Sequence, residues 1–197
     1  MITQYKNVLK QGISSMLPLK EEELNAIVDQ FKFQEVAKHG HLLSGGQVSK
    51  RFYYIIDGLV RVYYLQDDRE VTTFLATNNC FVTSPVSFIR QVRSDDFIQC
   101  LEDTVVASIS YNKMQELHEQ VPAWNAVTRQ FMEQNLLCLS ERFLKQHNIK
   151  ARDKYLKFLS TTPARIVQRT PIQHIASFLG ITPESLSRIR KELATEA

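Results

Sequence analysis

Cysteine is scarce in this chain. There are three, Cys80, Cys100 and Cys138, in 197 residues. An odd number at wide spacing does not make a disulfide framework, and no Cys-x-x-Cys pair offers a structural zinc site. Three buried thiols in a reducing compartment are expected, with no metal and no cofactor. Long apolar runs are also missing. None approaches the ~18 residues that a membrane span needs. The opening residues, Met1 to Gly12, carry no apolar core and no small-residue cleavage site, so no signal peptide and a cytoplasmic location are expected. Catalytic signatures are absent too. The phosphate loop, the dinucleotide glycine fingerprint, the paired-histidine zinc helix and the nucleophile elbow have no counterpart. His118-Glu119 lacks a second histidine, and Glu102-Asp103 reads as a strand turn rather than a carboxylate pair. An enzyme is therefore not expected.

What is present is ordinary globular material, 44% hydrophobic and 23% charged. The charge is unevenly placed. Residues 149–197 hold nine Lys/Arg against four acids, a net +5 that leaves −2 for the rest. A basic C-terminal segment on a near-neutral body suits contact with a polyanion.

Along the chain the texture changes three times. Residues 15–33 open with Pro18 and the acidic turn Glu21-Glu22-Glu23. Leu19, Leu24, Ile27, Val28 and Phe31 follow at helical spacing, which predicts a short amphipathic helix. From about 34 to 111, short β-rich runs alternate with turn residues, which predicts a small barrel or sandwich. Asp57-Gly58 lies between Phe52-Tyr53-Tyr54-Ile55-Ile56 and Leu59-Val60-Arg61-Val62-Tyr63-Tyr64, and predicts a hairpin. Further turns are expected at Gly45-Gly46 and at Gln66-Asp67-Asp68-Arg69. From Lys113 the period is helical. Past Pro122, a long helix over about 123–146 carries Trp124, Val127, Phe131, Met132, Leu136, Leu139, Phe143 and Leu144 in one stripe. Such a helix packs against a second copy or covers its own barrel. A last helix begins near Arg152 and ends at Thr161-Thr162-Pro163.

The segment Thr170 to Leu193 carries the most information. Thr170 can cap a helix with Pro171 at its first position, and Ile175, Phe178 and Leu179 form its inner face. Gly180 ends that helix. Thr182 caps another, again followed by Pro, with Leu186, Ile189 and Leu193 inward. Ala176 lies where the two helices must approach closely. This is a helix-turn-helix. Its second helix would expose Pro183, Glu184, Ser185, Ser187, Arg188 and Lys191. Arginine can pair bidentately with guanine, and glutamate can accept from cytosine. Thr170 and Thr182 join these as candidate DNA-facing residues. The alternative is an ordinary helical hairpin with a solvated outer face.

With these residues in view, the chain resembles the Crp/Fnr family of bacterial transcription regulators over nearly its whole length. Phe52 to Gly58 is similar to the hairpin of the family's β-roll, and Phe178 to Leu193 to its recognition helices. The resemblance implies an α+β fold: an N-terminal double-stranded β-helix (jelly roll) of the cyclic-nucleotide-binding type, a long dimerisation helix and a C-terminal helix-turn-helix domain. The implied organisation is a sensor domain over 1–148, including the dimer helix at about 116–148, and a DNA-binding domain over 149–197. Implied partners are double-stranded DNA, a second copy through the 123–146 helix, RNA polymerase and a small-molecule effector. Carried over, Glu184 and Arg188 read bases. Pro183 stands where relatives often have Arg, and the β-hairpin wing that many relatives add after this point is not expected.

The roll departs from its cyclic-AMP-binding relatives. Where they place a Gly-Glu pair, this chain has Thr83-Ser84, and Arg93-Ser94 is followed by Asp95-Asp96 instead of continuing the arginine motif. Two acids beside a phosphate site oppose an anion. Tight cyclic AMP binding is therefore not expected. Thr83, Ser84, Arg93 and Ser94 would line a pocket for another effector, and a collapsed pocket is the alternative. Four thiolates for an iron–sulfur cluster are lacking, and His39 and His41 are not expected to hold haem or metal. A sensor or interaction module without DNA binding is the rival reading.

Overall fold

The computed structural model describes residues 1–145 and 149–196. Two helices come first, α1 (Ile2–Met16) and α2 (Glu21–Val28). Strands β1 (Lys32–Val36), β2 (His41–Leu43), β3 (Arg51–Asp57), β4 (Leu59–Gln66), β5 (Arg69–Thr77) and β6 (Phe81–Val82) follow. Then come α3 (Pro85–Arg90), β7 (Phe97–Cys100), β8 (Thr104–Ser110), α4 (Tyr111–Gln120) and α5 (Pro122–Lys145). The chain closes with α6 (Ala151–Thr161), α7 (Ala164–Arg169), α8 (Ile172–Leu179) and α9 (Pro183–Glu196).

The strands form two antiparallel four-stranded sheets, β1-β8-β3-β6 and β2-β7-β4-β5. Side chains alternate across a strand, and here both faces of each sheet are covered. Tyr53, Ile55, Val60, Val62, Ile98 and Val106 meet between the sheets. The outer face of the first sheet puts Phe52, Tyr54 and Ile56 against α1, α2, α4 and α5. The outer face of the second gives Leu59, Leu75 and Leu101 to Tyr155, Phe158, Ile175 and Leu179 of the C-terminal helices. Double coverage explains why Phe52 to Ile56 is an unbroken apolar run: every one of its residues is buried.

The hairpin expected at Asp57-Gly58 is not there. β3 and β4 belong to different sheets, so this turn carries the chain over the corner of the sandwich. Gly58 has φ +135°, and a Cβ there would lie 2.4 Å from Thr104 Oγ1. The glycine is needed for a close crossing rather than for strand pairing. The tight hairpin is instead at Asp67-Asp68. These residues have φ of 49° and 60°, and Gln66 pairs with Arg69 around them. Positive φ at both central positions is the type I′ requirement, met here by two aspartates.

At the N-terminus, α1 is a helix that the sequence reading left unassigned, with Leu9 and Ile13 fully buried. α2 begins at the acidic turn itself, with Pro18 outside it. In α5, Trp124, Val127 and Phe131 pack on the chain's own roll, whereas Leu136, Leu137 and Leu139 are exposed. The expected end of this helix at Gln146 and the expected boundary at 148 lie outside the described residues. The side chains of Cys138, Phe143 and Leu144 do as well. Of the other thiols, Cys100 is buried and Cys80 half-buried. Burial pushes both above the ordinary thiol pKa, which keeps them protonated and unreactive. Among the described residues no helix is long and apolar enough to cross a membrane.

Candidate functional site

Helices α8 and α9 are joined by Gly180, Ile181 and Thr182. Gly180 is left-handed, with φ 65° and ψ 40°, and the Ile181 N–H returns to the Ala176 carbonyl at 3.0 Å. This closing bond leaves little alternative to glycine. Thr182 caps α9, its Oγ1 accepting from the Ser185 N–H at 3.2 Å. Leu186 and Ile189 are buried against Ile175, Ala176 and Leu179. Pro183, Glu184, Arg188 and Lys191 are exposed, and Ser185 and Ser187 are half-buried. Its own backbone N–H, and then the Thr182 hydroxyl, hold the Glu184 carboxyl below the usual range. It is therefore an ionised acceptor at neutral pH. Thr170 differs from expectation. It follows α7, is buried, and its Oγ1 has no hydrogen-bond partner among the described residues, so it does not cap α8, whose N-cap is Pro171. Its burial also takes it off the exposed face.

A second cluster ties this motif to the roll. Arg61 on β4 is 3% exposed. Its Nη2 meets Glu70 Oε2 at 2.7 Å, its Nε donates to Gln99 Oε1 at 2.9 Å, and its Nη1 donates to His174 Nδ1 on α8 at 2.7 Å. The guanidinium also lies 4.0 Å from the Tyr63 ring centroid. Arginine has no acceptor, so His174 must offer a lone pair at Nδ1 and carry its proton at Nε2. Burial first, then Arg61, lowers the His174 pKa to about 4, with a small opposing pull from Glu70 and a further push down from His39. Beside it, Ser177 Oγ accepts from the Thr72 N–H at 2.9 Å and donates to the Glu70 carbonyl at 3.1 Å. β5 is an edge strand, and Ser177 satisfies backbone groups that the sheet leaves unpaired. On α7, Arg165 reaches Glu102 at 2.6 Å, and both Asp57 at 2.5 Å and Asn78 at 2.9 Å. The hydrogen bond to Arg165 holds the Asp57 carboxyl below its ordinary range. A lone arginine in the apolar run of residues 59–63 was the available signal for a buried partner. Nothing in the sequence indicated His174, 113 residues away.

The His174 shift gives a pH dependence. A histidine whose folded pKa lies below its unfolded value contributes full stability above about 6.5, and loses it as pH falls through about 4. The drop corresponds to roughly 2–3 kcal/mol. Thermal unfolding followed from pH 7 to pH 4 is expected to show this loss, and His174→Gln to flatten that part of the curve.

The third feature is a solvent-open pocket of ≈ 120 Å³ between the roll and α5. Its walls include Phe74, Phe81, Phe131 and Leu139, with Thr73, Thr83, Asp96 and Asn135 as polar members. Of the four residues expected to line an effector pocket, Thr83 lies in the described wall of this cavity and the other three do not. Ser84 and Ser94 are buried behind it in a closed set of hydrogen bonds. Their hydroxyls lie 2.8 Å apart, Ser84 donates to Asp96 Oδ2 at 2.6 Å, and the Asp96 N–H donates to Ser94 Oγ at 2.9 Å. Ser94 therefore donates to Ser84, and both serines are used up in holding the Asp96 carboxylate. Arg93 is exposed and bridges by its backbone to Val48. His41 meets the Tyr63 hydroxyl at 3.2 Å, and among the described residues no three His, Cys, Asp or Glu side chains come together as a metal site.

Residues 33–121 match the cyclic nucleotide-binding domain family. A search of curated protein sequences gives no match. Solved structures share the fold over most of the chain. CLP of Xanthomonas campestris, described as a c-di-GMP-responsive global regulator, superposes with a TM-score of 0.71 at 19% identity, over 90% of this chain and 93% of its own. A CooA mutant of Carboxydothermus hydrogenoformans gives 0.68 at 19%, over 86% and 79%. The catabolite activator protein of Thermus thermophilus gives 0.59 at 18%, over 94% and 87%. Residues 33–121 thus match the cyclic nucleotide-binding domain family, and the chain, its helix-turn-helix included, shares its overall fold with these three proteins.

Proposed function

We propose that this protein is a homodimeric, sequence-specific DNA-binding transcription regulator, controlled through its roll by a small-molecule effector other than cyclic AMP. The observation that carries the reading is α9: a capped helix, anchored by Leu186 and Ile189, that exposes Glu184, Arg188 and Lys191. A carboxylate near the helix start and an arginine one turn later suit base edges in a major groove, and Lys191 suits a phosphate. A second copy would cover Leu136, Leu137 and Leu139, which are between 57% and 65% exposed. Pairing through α5 would place the two recognition helices to read half-sites about one turn, ~34 Å, apart. An effector in the roll would act on the same helix, because Phe131, Asn135 and Leu139 of α5 wall the cavity. RNA polymerase fits as a further partner of a DNA-bound activator.

Selection of the purified chain against randomised duplex DNA tests the reading. A two-fold symmetric site with a steep salt dependence is the expected result. A module that enriches no site, with or without cell metabolites, would be a sensor without DNA binding. On the selected site, Arg188→Ala is expected to weaken binding by about 1–3 kcal/mol and to relax preference at one base pair. An unchanged preference would remove Arg188 from base reading. Leu136→Glu with Leu139→Glu is expected to turn a dimer into a monomer in sedimentation, with little change in the unfolding of the roll.

A further inference from the structure

We infer that the roll cavity takes a single-ring, largely apolar molecule bearing a protonated amine, and rejects anions. The inference rests on the reading of the roll as an effector site and names the chemistry of its ligand.

Size comes first. The pocket holds ≈ 120 Å³ and opens to solvent on one side; an enclosed apolar cavity of about 150 Å³ holds benzene, so a ring fits here with its substituent toward the opening. One six-membered ring is therefore the scale of its occupant. A cyclic mononucleotide, with a base, a ribose and a phosphodiester ring, is far bulkier. The walls agree, because Phe81, Phe131 and Leu139 offer apolar contact and ring faces.

Charge comes second. Among the described residues, Asp96 is the one ionisable member of the wall, and no lysine or arginine lines the cavity. The carboxylate is held in place from behind. Ser84 occupies Oδ2, and the Ser84–Ser94–Asp96 ring of hydrogen bonds fixes its direction. Oδ1 holds no hydrogen bond among the described residues. A ligand ammonium would supply that bond as a charge-assisted one. A phosphate or carboxylate would instead face a like charge, with no cation among the described lining residues to offset it. Thr83 and Asn135 remain as polar neighbours that fix orientation.

The test uses the full-length protein and three probes of one shape: benzylamine, benzyl alcohol and benzoate, with cyclic AMP as a fourth. Binding is read by calorimetry and by the shift in unfolding temperature. Benzylamine is expected to bind at least tenfold more tightly than benzoate, with benzyl alcohol between them. Asp96→Asn is expected to remove the preference for the amine while retaining the alcohol. Leu139→Trp, which fills the cavity from α5, is expected to abolish all three. Equal or tighter binding of benzoate or cyclic AMP, or no benzylamine binding at millimolar concentration, overturns the inference. Operator affinity measured on the same samples separates the two claims. Amine binding that leaves DNA affinity unchanged overturns the sensor reading and keeps the ligand class. DNA binding without any amine binding overturns the ligand class alone.

Discussion

Glu70→Ala is expected to destabilise the protein by about 2–4 kcal/mol, whereas Arg61→Met costs far less. The asymmetry follows from where the charges sit. Arg61 is 3% exposed, and Glu70 is its one acidic partner among the described residues, at 2.7 Å. Deleting the carboxylate leaves a guanidinium buried with the neutral groups of Gln99 and His174. Stranding a buried charge in this way costs about 3–5 kcal/mol. The Glu70 side chain is 44% exposed, so solvent takes up part of the loss and the lower figures apply. Arg61→Met removes the charge itself and refills most of its volume. The cost is then two unmet acceptors, Gln99 Oε1 and His174 Nδ1, while the half-exposed Glu70 carboxylate turns to solvent, and the freed His174 can protonate more readily. Denaturant unfolding separates the two outcomes. Hydrogen exchange in α8 locates them, because Glu70 and Arg61 hold α8 against β4 and β5, and the loss should open α8 before the interior of the roll. Equal destabilisation by both variants would show that packing, not charge, governs this contact.

That contact also marks the limit of what the sequence reveals. Local patterns were legible where one residue type has one job. Gly180 and Thr182 frame the helix-turn-helix, and both occupy the places their chemistry requires. The alternation and turns announced a β domain. They did not reveal which strands pair, because a glycine turn that crosses between sheets resembles one that joins neighbours in a sheet. Asp57-Gly58 is the first kind, and Asp67-Asp68, a weaker signal, is the second. Thr170 looked like a cap because a Pro follows it, yet α7, which the sequence reading did not assign, runs directly into it. The pocket was legible as a departure. Of the two acids after Arg93-Ser94, Asp96 lies in the cavity wall, while Ser84 and Ser94, expected to face a ligand, hydrogen-bond to it. Side chains brought together from more than a hundred residues apart, as Arg61 and His174 are, leave no local pattern to read.

Gly12→Ala is expected to destabilise the protein, against the sign of helix propensity. In an exposed helix interior, alanine for glycine stabilises by about 1 kcal/mol. Gly12 is mid-helix in α1, so propensity alone forecasts a gain. The surroundings forbid it. An added Cβ would lie 1.6 Å from Tyr54 Oη and 2.5 Å from Tyr54 Cζ. Tyr54 cannot swing aside. It is fully buried in β3, its ring packs edge-on to Phe81 at 4.8 Å, and its hydroxyl donates to Asn79 Oδ1 at 3.1 Å. Burial also pushes the phenol well above its ordinary pKa, so the hydroxyl stays a neutral donor in need of that acceptor. Either α1 lifts from the sheet, exposing Leu9 and Ile13, or the tyrosine is displaced and its hydrogen bond lost. Both routes cost about 2–4 kcal/mol, several times the propensity gain. The double variant Gly12→Ala with Tyr54→Phe identifies the route. Removing the hydroxyl relieves the nearest atom but leaves Cζ too close, so it should recover part of the loss and not all of it. Full recovery would place the whole conflict at the oxygen, and a stabilised Gly12→Ala would mean that α1 does not rest on Tyr54.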